Sequence, residues 1–168
     1  MQLYCKPVDG VLFVLAVHVD GDTTPLGAYP GATVVLPYAG EARPADLLGK
    51  PVPDFDLADY AAAKRYAVET GGITVSGARV RTDRESQALL TGAYVRAQKN
   101  PAGTVSFKTL DGFVKLPAAQ VIALGDAVGD HVQACFDAEE AVDAALSAAP
   151  PTITALDQVD AAFASLAG

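Results

Sequence analysis

The sequence predicts an α+β fold: a small N-terminal antiparallel β module, then a helix–hairpin–helix–hairpin–long helix domain with a short terminal helix. Three observations lead there. β-branched and apolar residues crowd the first 38 positions without helical spacing. Apolar residues recur every three or four positions in several later segments. Between those segments lie short apolar runs broken by glycine-containing turns, the mark of hairpins.

Residues 11–19 (VLFVLAVHV) carry the strongest strand signal and are too short for a typical helix. Strict alternation puts Val11, Phe13, Leu15, Val17 and Val19 on one face, while the other grades from Leu12 and Val14 to His18 and Asp20. Val8-Asp9-Gly10 supplies turn chemistry and predicts a hairpin with residues 2–6. Residues 32–37 supply a third strand. Three strands without a helix are marginal alone, so a module over 1–38 must pack on its own chain or on a partner. Residues 39–55 contain Pro44, Pro51 and Pro53. Proline at that density blocks helix and sheet pairing and predicts a linker.

Residues 56–168 form the second predicted domain. Leu57, Tyr60, Ala61, Lys64 and Val68 share a helix face, and Gly71-Gly72 ends that helix near residue 70. A hairpin follows over 73–81, with Ser76-Gly77 at its turn. Thr82 and Glu85 fit a capping box, which opens a helix to about residue 99 with Leu89, Leu90, Ala93 and Ala97 facing inward. Residues 104–116 read as a second hairpin around Leu110-Asp111-Gly112. Pro117 suits a first helical turn. Val121, Leu124, Val128, Val132, Cys135, Glu139, Val142 and Leu146 then mark a long helix to about residue 148, its stripe widened by Phe136. Leu156, Val159, Phe163 and Leu166 mark the terminal helix.

Composition bounds the function. The chain has 168 residues, 51% of them apolar and 19% charged, which excludes a disordered polymer. No apolar run approaches the ~20 residues of a membrane-crossing helix, and no membrane role is expected. The start, with one Lys and with Pro7 and Asp9 before its apolar run, does not resemble a secretory signal. The net charge is −8, and the final 51 residues contain eight acids (Asp126, Asp130, Asp137, Glu139, Glu140, Asp143, Asp157, Asp160) without a Lys or Arg. This balance argues against charge-driven binding to nucleic acid. Arg79, Arg81 and Arg84, with Lys108, are the basic group that could serve as a partner surface, and Arg79 and Arg81 fall on one strand face. Pairing of this group with the acidic C-terminal helix is the competing reading.

No catalytic constellation emerges, and the expectation is a protein that is not an enzyme. There is no GxSxG elbow, P-loop or GxGxxG fingerprint. His18 lies late in a strand and His131 on the long helix, neither with the base-and-orienter pattern that catalysis needs. His131 and Cys135 could share a helix face, but zinc needs three or four clustered ligands, so no metal or cofactor is expected. Asp20-Gly21-Asp22 starts like a calcium loop, yet the sixth position is Pro25 and the twelfth Gly31. Cys5 and Cys135 lie 130 positions apart with no CxxC motif and read as reduced, buried thiols. Gly125 and Gly129 suggest close approach by another element. Phe107 and Phe113 read as packing residues of the second hairpin.

Between Tyr66 and Phe136 the runs AVETGGITVSGARVRTDRESQALLTGA, FKTLDGFVKL and ALGDAVGDHVQACFDAE resemble a domain of unknown function found in tailed-phage and prophage tail and tail-fibre-associated proteins, some of them described as fibre-assembly proteins. The resemblance covers about residues 59–148. Near the start, LAVHVDGDTTPLGAYPGATVVL is similar to the short β module preceding that domain. Phe107 stands where the family is associated with Trp. The resemblance implies a non-enzymatic protein that binds a phage tail or tail-fibre protein, as a fibre-assembly chaperone or a structural tail component. It places the chain in the host bacterial cytoplasm during phage assembly, or in the virion tail. It supplies no catalytic residues and leaves a homo-oligomer open. The alternatives are a glycan- or cell-wall-directed phage hydrolase and a nucleic-acid-binding regulator. A glycosidase would need two facing carboxylates. Glu139 and Glu140 diverge on a helix, and Asp20 and Asp22 sit in a turn.

Overall fold

In the computed structural model of the protein, residues 1–19, 26–53, 55–109 and 112–167 are described. The fold is α+β. Its elements are β1 (Gln2–Val8), β2 (Val11–His18), β3 (Val34–Pro37), α1 (Pro44–Leu47), α2 (Leu57–Thr70), β4 (Ile73–Val75), β5 (Ala78–Val80), α3 (Arg84–Lys99), β6 (Thr104–Thr109), β7 (Gly112–Pro117), α4 (Ala118–Ser147) and α5 (Leu156–Phe163). They gather into two compact units. One comprises Met1–Val68 with Cys135–Leu166, and the other is built on Glu69–Ala134.

The first unit centres on an antiparallel sheet of order β2-β1-β3. Asp9 and Gly10 both take positive φ in the β1–β2 turn, the geometry that matches the twist of a two-residue hairpin. The pairing is not regular. Tyr4 faces Ala16 while Cys5 faces Val14, so Leu15 is an extra residue in β2. This bulge shifts the strand's alternation by one. Leu12 and Val14 from one of the alternating rows, and Val17 from the other, therefore join Leu3, Cys5, Val34 and Leu36 on the core side. Val11 and Val19 are 42% and 63% exposed. On the opposite face, Tyr4 and Ala16 are buried, and Tyr4 makes tilted ring contacts with Tyr29 at 4.5 Å between centroids and with His18 at 5.5 Å.

The Pro-rich stretch 39–55 does not behave as a free linker. Leu47 and Val52 are buried in the same core. Residues 49–52 run along β2: Gly49 N–H donates to Val14 O (2.9 Å), Val14 N–H to Lys50 O (3.0 Å), and Val52 N–H to Leu12 O (2.7 Å). Pro51 and Pro53 flank Val52, so their missing donors fall at positions aimed away from β2. That is the edge placement in which a sheet tolerates proline.

Helices complete this core with Tyr60 and Ala61 of α2, Val142 of α4, and Leu156, Val159 and Phe163 of α5. The α2 face therefore lies where its spacing predicts. Polar groups fasten it at the margin. The Tyr60 hydroxyl donates to Asp160 at 2.8 Å, and Lys64 reaches the same carboxylate at 2.7 Å. Arg65 pairs with Glu139 at 2.7 Å, its guanidinium 4.6 Å from the Phe136 ring centroid. Burial raises the Tyr60 hydroxyl pKa above its ordinary value, with the Asp160 hydrogen bond and charge adding to the effect. Cys5 and Cys135 are buried and not joined in a disulfide. Burial pushes the Cys5 thiol up to about 12.

The second unit holds two two-stranded hairpins, α3 and the first part of α4. Ser76 and Gly77 both take positive φ at the β4–β5 turn. Gly72 also has positive φ, and a Cβ there would stand 2.9 Å from Val80 O, so glycine is required at position 72 by the backbone's close approach. Its cluster of fully buried residues is Ala97, Ala118 and Val121, with Ala93, Val105, Leu116 and Ile122 partly buried against it. One expectation fails here: Leu89 does not face inward but is 63% exposed, while its neighbour Leu90 is buried. Adjacent helical residues diverge by about 100°, and the inward face settles on Leu90, Ala93 and Ala97.

The bulge gives a direct test of β2. Leu12→Ala should cost about 2–5 kcal/mol of stability, whereas Val11→Ala should cost no more than about 0.5 kcal/mol. Urea unfolding followed by circular dichroism measures both, and equal losses would contradict the placement of Leu12 in the core.

Candidate functional site

Arg79, Arg81 and Arg84, three of the basic residues that the sequence singles out, lie around the junction of the β4–β5 hairpin with α3. Glu69, the last but one residue of α2, is fully buried. Its carboxylate accepts from Arg84 (Nη1, 2.9 Å) and from Gln87 Nε2 (3.1 Å). Its carbonyl oxygen accepts from the Thr82 hydroxyl, which in turn accepts from Gly72 N–H at 2.9 Å. Gln87 Nε2 also donates to Thr82 O at 2.7 Å. A charge taken out of water must be matched by charge and hydrogen bonds, and this network supplies both.

The helix start differs from the expected Thr82/Glu85 capping box. Asp83 is the N-cap: its carboxylate accepts from Ser86 N–H (3.0 Å) and Ser86 Oγ (2.7 Å). Arg81 pairs with the same carboxylate at 2.9 Å. Burial opposes the Asp83 charge, but the Ser86 hydrogen bonds and Arg81 outweigh it and hold the carboxyl below its ordinary value. Asp wins the cap because its carboxylate also meets the positive end of the helix dipole.

The basic group is thus engaged locally. Arg79 stands in β5 opposite Thr74 and donates to Gly71 O at 2.7 Å. Arg81 lies beyond the strand on Asp83, and Arg84 lies on Glu69. These contacts lie within the hairpin and the helix cap, while two of the C-terminal acids, Glu139 and Asp160, take cations from α2. Arg81 and Arg84 keep 65% and 53% of their side-chain surface exposed, so both remain accessible to a partner. The side chains of Phe107 and Lys108 lie outside the described residues, as do Asp20 and Asp22.

A groove of about 420 Å³ runs between α3 and α4. Leu90, Val128, Gly125 and Gly129 contribute its apolar surface, and Gln87, Asp126, Asp130 and Gln133 contribute polar groups. Gly125 meets the expectation of close approach, since a Cβ there would stand 2.4 Å from Tyr94 Cδ2. Nothing lies within 4 Å of the corresponding point on Gly129. The Tyr94 hydroxyl donates to Asp126 at 2.9 Å, and that hydrogen bond raises its pKa above the ordinary value. Such a surface offers carboxylates and amides to a polar or cationic partner.

Other candidates fall elsewhere. His18 Nε2 meets the Tyr29 hydroxyl on the sheet's outer face. His131 is half-buried. Among the described residues, no three His, Cys, Asp or Glu side chains cluster as metal ligands. Glu69 is the residue that sequence reasoning missed. A glutamate near a helix end, just before Gly-Gly, carries no local signal that sets it apart from a solvated charge.

Residues 56–164, well over half of the chain, match the family model described as domain of unknown function DUF4376. The chain belongs to that family. The DUF4376 match begins at residue 56, where the second domain was expected to begin, and it runs through both compact units. Comparison with curated proteins and with solved structures returned no match.

Asp83→Ala should cost about 1 kcal/mol. With its native pKa lowered, Asp83 contributes full stabilisation above its unfolded pKa of about 3.9, which is lost as pH falls through the lower folded value. Asp83→Asn should keep most of the cap and remove this part of the acid dependence, read from urea midpoints between pH 6 and pH 2. Gly129→Ala should stabilise by up to about 1 kcal/mol because its Cβ meets open space. Gly125→Ala should forfeit that gain by displacing Tyr94, and thermal unfolding separates the two.

Proposed function

We propose that this DUF4376 protein acts without catalysis, by binding a phage tail or tail-fibre protein as an assembly chaperone or structural tail component. The phage context rests on the similarity of the Gly-Gly hairpin, the Thr82–Gln87 run and the Lys-Thr-x-Asp-Gly turn to tail-fibre-associated proteins. The observation that carries the binding reading is the β6–β7 hairpin. It is a two-stranded sheet among the described residues, so each strand offers one edge to a further strand. Phe113, expected to pack into the core, is instead 79% exposed, and Val114 is 37% exposed. A fibre segment can add to that edge through backbone hydrogen bonds while Phe113 supplies the apolar anchor.

Co-expression of the full chain with the fibre protein encoded beside it tests the proposal. Co-purification and a larger soluble fibre fraction are expected, both lost with Phe113→Asp while the circular dichroism spectrum is kept. No co-purification together with unchanged fibre solubility would overturn it. Mass spectrometry of finished virions separates the two versions, because a structural component persists there and a chaperone does not.

A further inference from the structure

We infer that the outer face of α3 is a self-association surface, on which a second copy of this chain packs its own α3 antiparallel across a two-fold axis at Gly92. This goes beyond the tail-fibre reading and does not depend on it.

The inference begins with the Thr-Asp-Arg-Glu-Ser-Gln run. Thr82, Asp83, Arg84, Ser86 and Gln87 are all used in the network around Glu69 or in the helix cap. Glu85 alone points away, exposed. One helical side carries Glu85, Ala88, Leu89, Gly92, Val95, Arg96 and Lys99, all exposed. At its centre Leu89 and Val95 are 63% and 44% exposed. The buried face of α3, with Leu90 and Ala97, lies on the other side. A surface helix normally spends its apolar residues on one stripe, so a second stripe opposite the core implies a second packing partner.

The order of residues identifies that partner. An antiparallel copy related by a two-fold at Gly92 matches Leu89 with Val95, Ala88 with Arg96, and Glu85 with Lys99. Each match occurs twice, as a symmetric interface requires. The apolar pairs fall in the middle and the opposite charges at both ends. Gly92 falls at the crossing, and nothing lies within 4 Å of its Cβ position, so two helix backbones can approach closely there. Among the described residues, neither Glu85 nor Lys99 has an ion pair within the chain. A parallel pair would set Glu85 against Glu85 and Lys99 against Lys99, which repels.

One helix pair about 24 Å long is smaller than a standard protein interface, so the dimer should depend on concentration in the micromolar range. Sedimentation equilibrium of the full chain should show the mass rising from 17.2 kDa towards twice that value as concentration increases. Glu85→Lys and Lys99→Glu should each weaken the dimer about tenfold by setting like charges together. An equimolar mixture of the two variants pairs Lys with Glu at both ends and should return the affinity to near that of the unaltered chain. Leu89→Glu should leave the monomer mass alone, with an unchanged circular dichroism spectrum. A monomer at every concentration would overturn the inference and assign the stripe to a different chain. So would a dimer indifferent to Leu89→Glu, or a mixture that associates no better than either single variant.

Discussion

The fold of the first unit depends on covering one apolar surface. Tyr60 and Ala61 of α2, Val142 of α4, and Leu156, Val159 and Phe163 of α5 lie within the family segment, yet they have no complete core among themselves. Their partners are Leu3, Cys5, Leu12, Val14, Val34 and Leu36, supplied by a sheet that precedes the segment in the chain. Each buried aliphatic or aromatic side chain contributes about 1.5–3 kcal/mol relative to exposure, so the sheet cannot be optional in this chain. The constraint runs both ways, because three strands need a second layer to be stable. The stretch 49–52 follows from it: the connection that joins sheet to helix is itself drawn against β2.

A different constraint organises the second unit. Its apolar cluster is small and rich in alanine. The hairpin and α3 are instead tied by polar contacts that converge on the Glu69 carboxylate and carbonyl. Polar networks of this kind fix geometry strongly, since any missing member leaves a buried group unsatisfied. They contribute less net stability than apolar burial does. The outcome is a unit whose local shape is well specified and which leaves Leu89, Val95, Phe113 and Val114 exposed.

Much of this architecture was legible in the sequence. The α4 stripe from Val121 to Leu146 is a 3.6-residue pattern sustained over many turns, and Val121, Val128, Cys135 and Val142 are buried as that pattern requires. The turns at Asp9-Gly10 and Ser76-Gly77 were equally legible, because positive φ restricts the choice of residue. What escaped the sequence depends on partners far along the chain. Leu89 and Leu90 are identical in type, and which one enters the core is decided by where α4 lies. Proline at 51 and 53 excludes a central strand but not an edge, and only the pairing with β2 shows which side of the chain needs donors. Glu69 lies 13 residues from Thr82 and 15 from Arg84, a separation at which no local pattern marks burial.

The bulge at Leu15 has an evolutionary consequence. Because one surplus residue sets the phase of everything after it, β2 serves two layers: the core on one side and the Tyr4, His18 and Tyr29 rings on the other. Replacing a single side chain disturbs one layer at one point. Adding or removing a residue anywhere along the strand would transpose the two layers, sending Val17 outward and His18 into the core. In β2, which precedes the family segment, length is therefore under tighter restraint than composition, and substitutions should be tolerated here more readily than insertions or deletions.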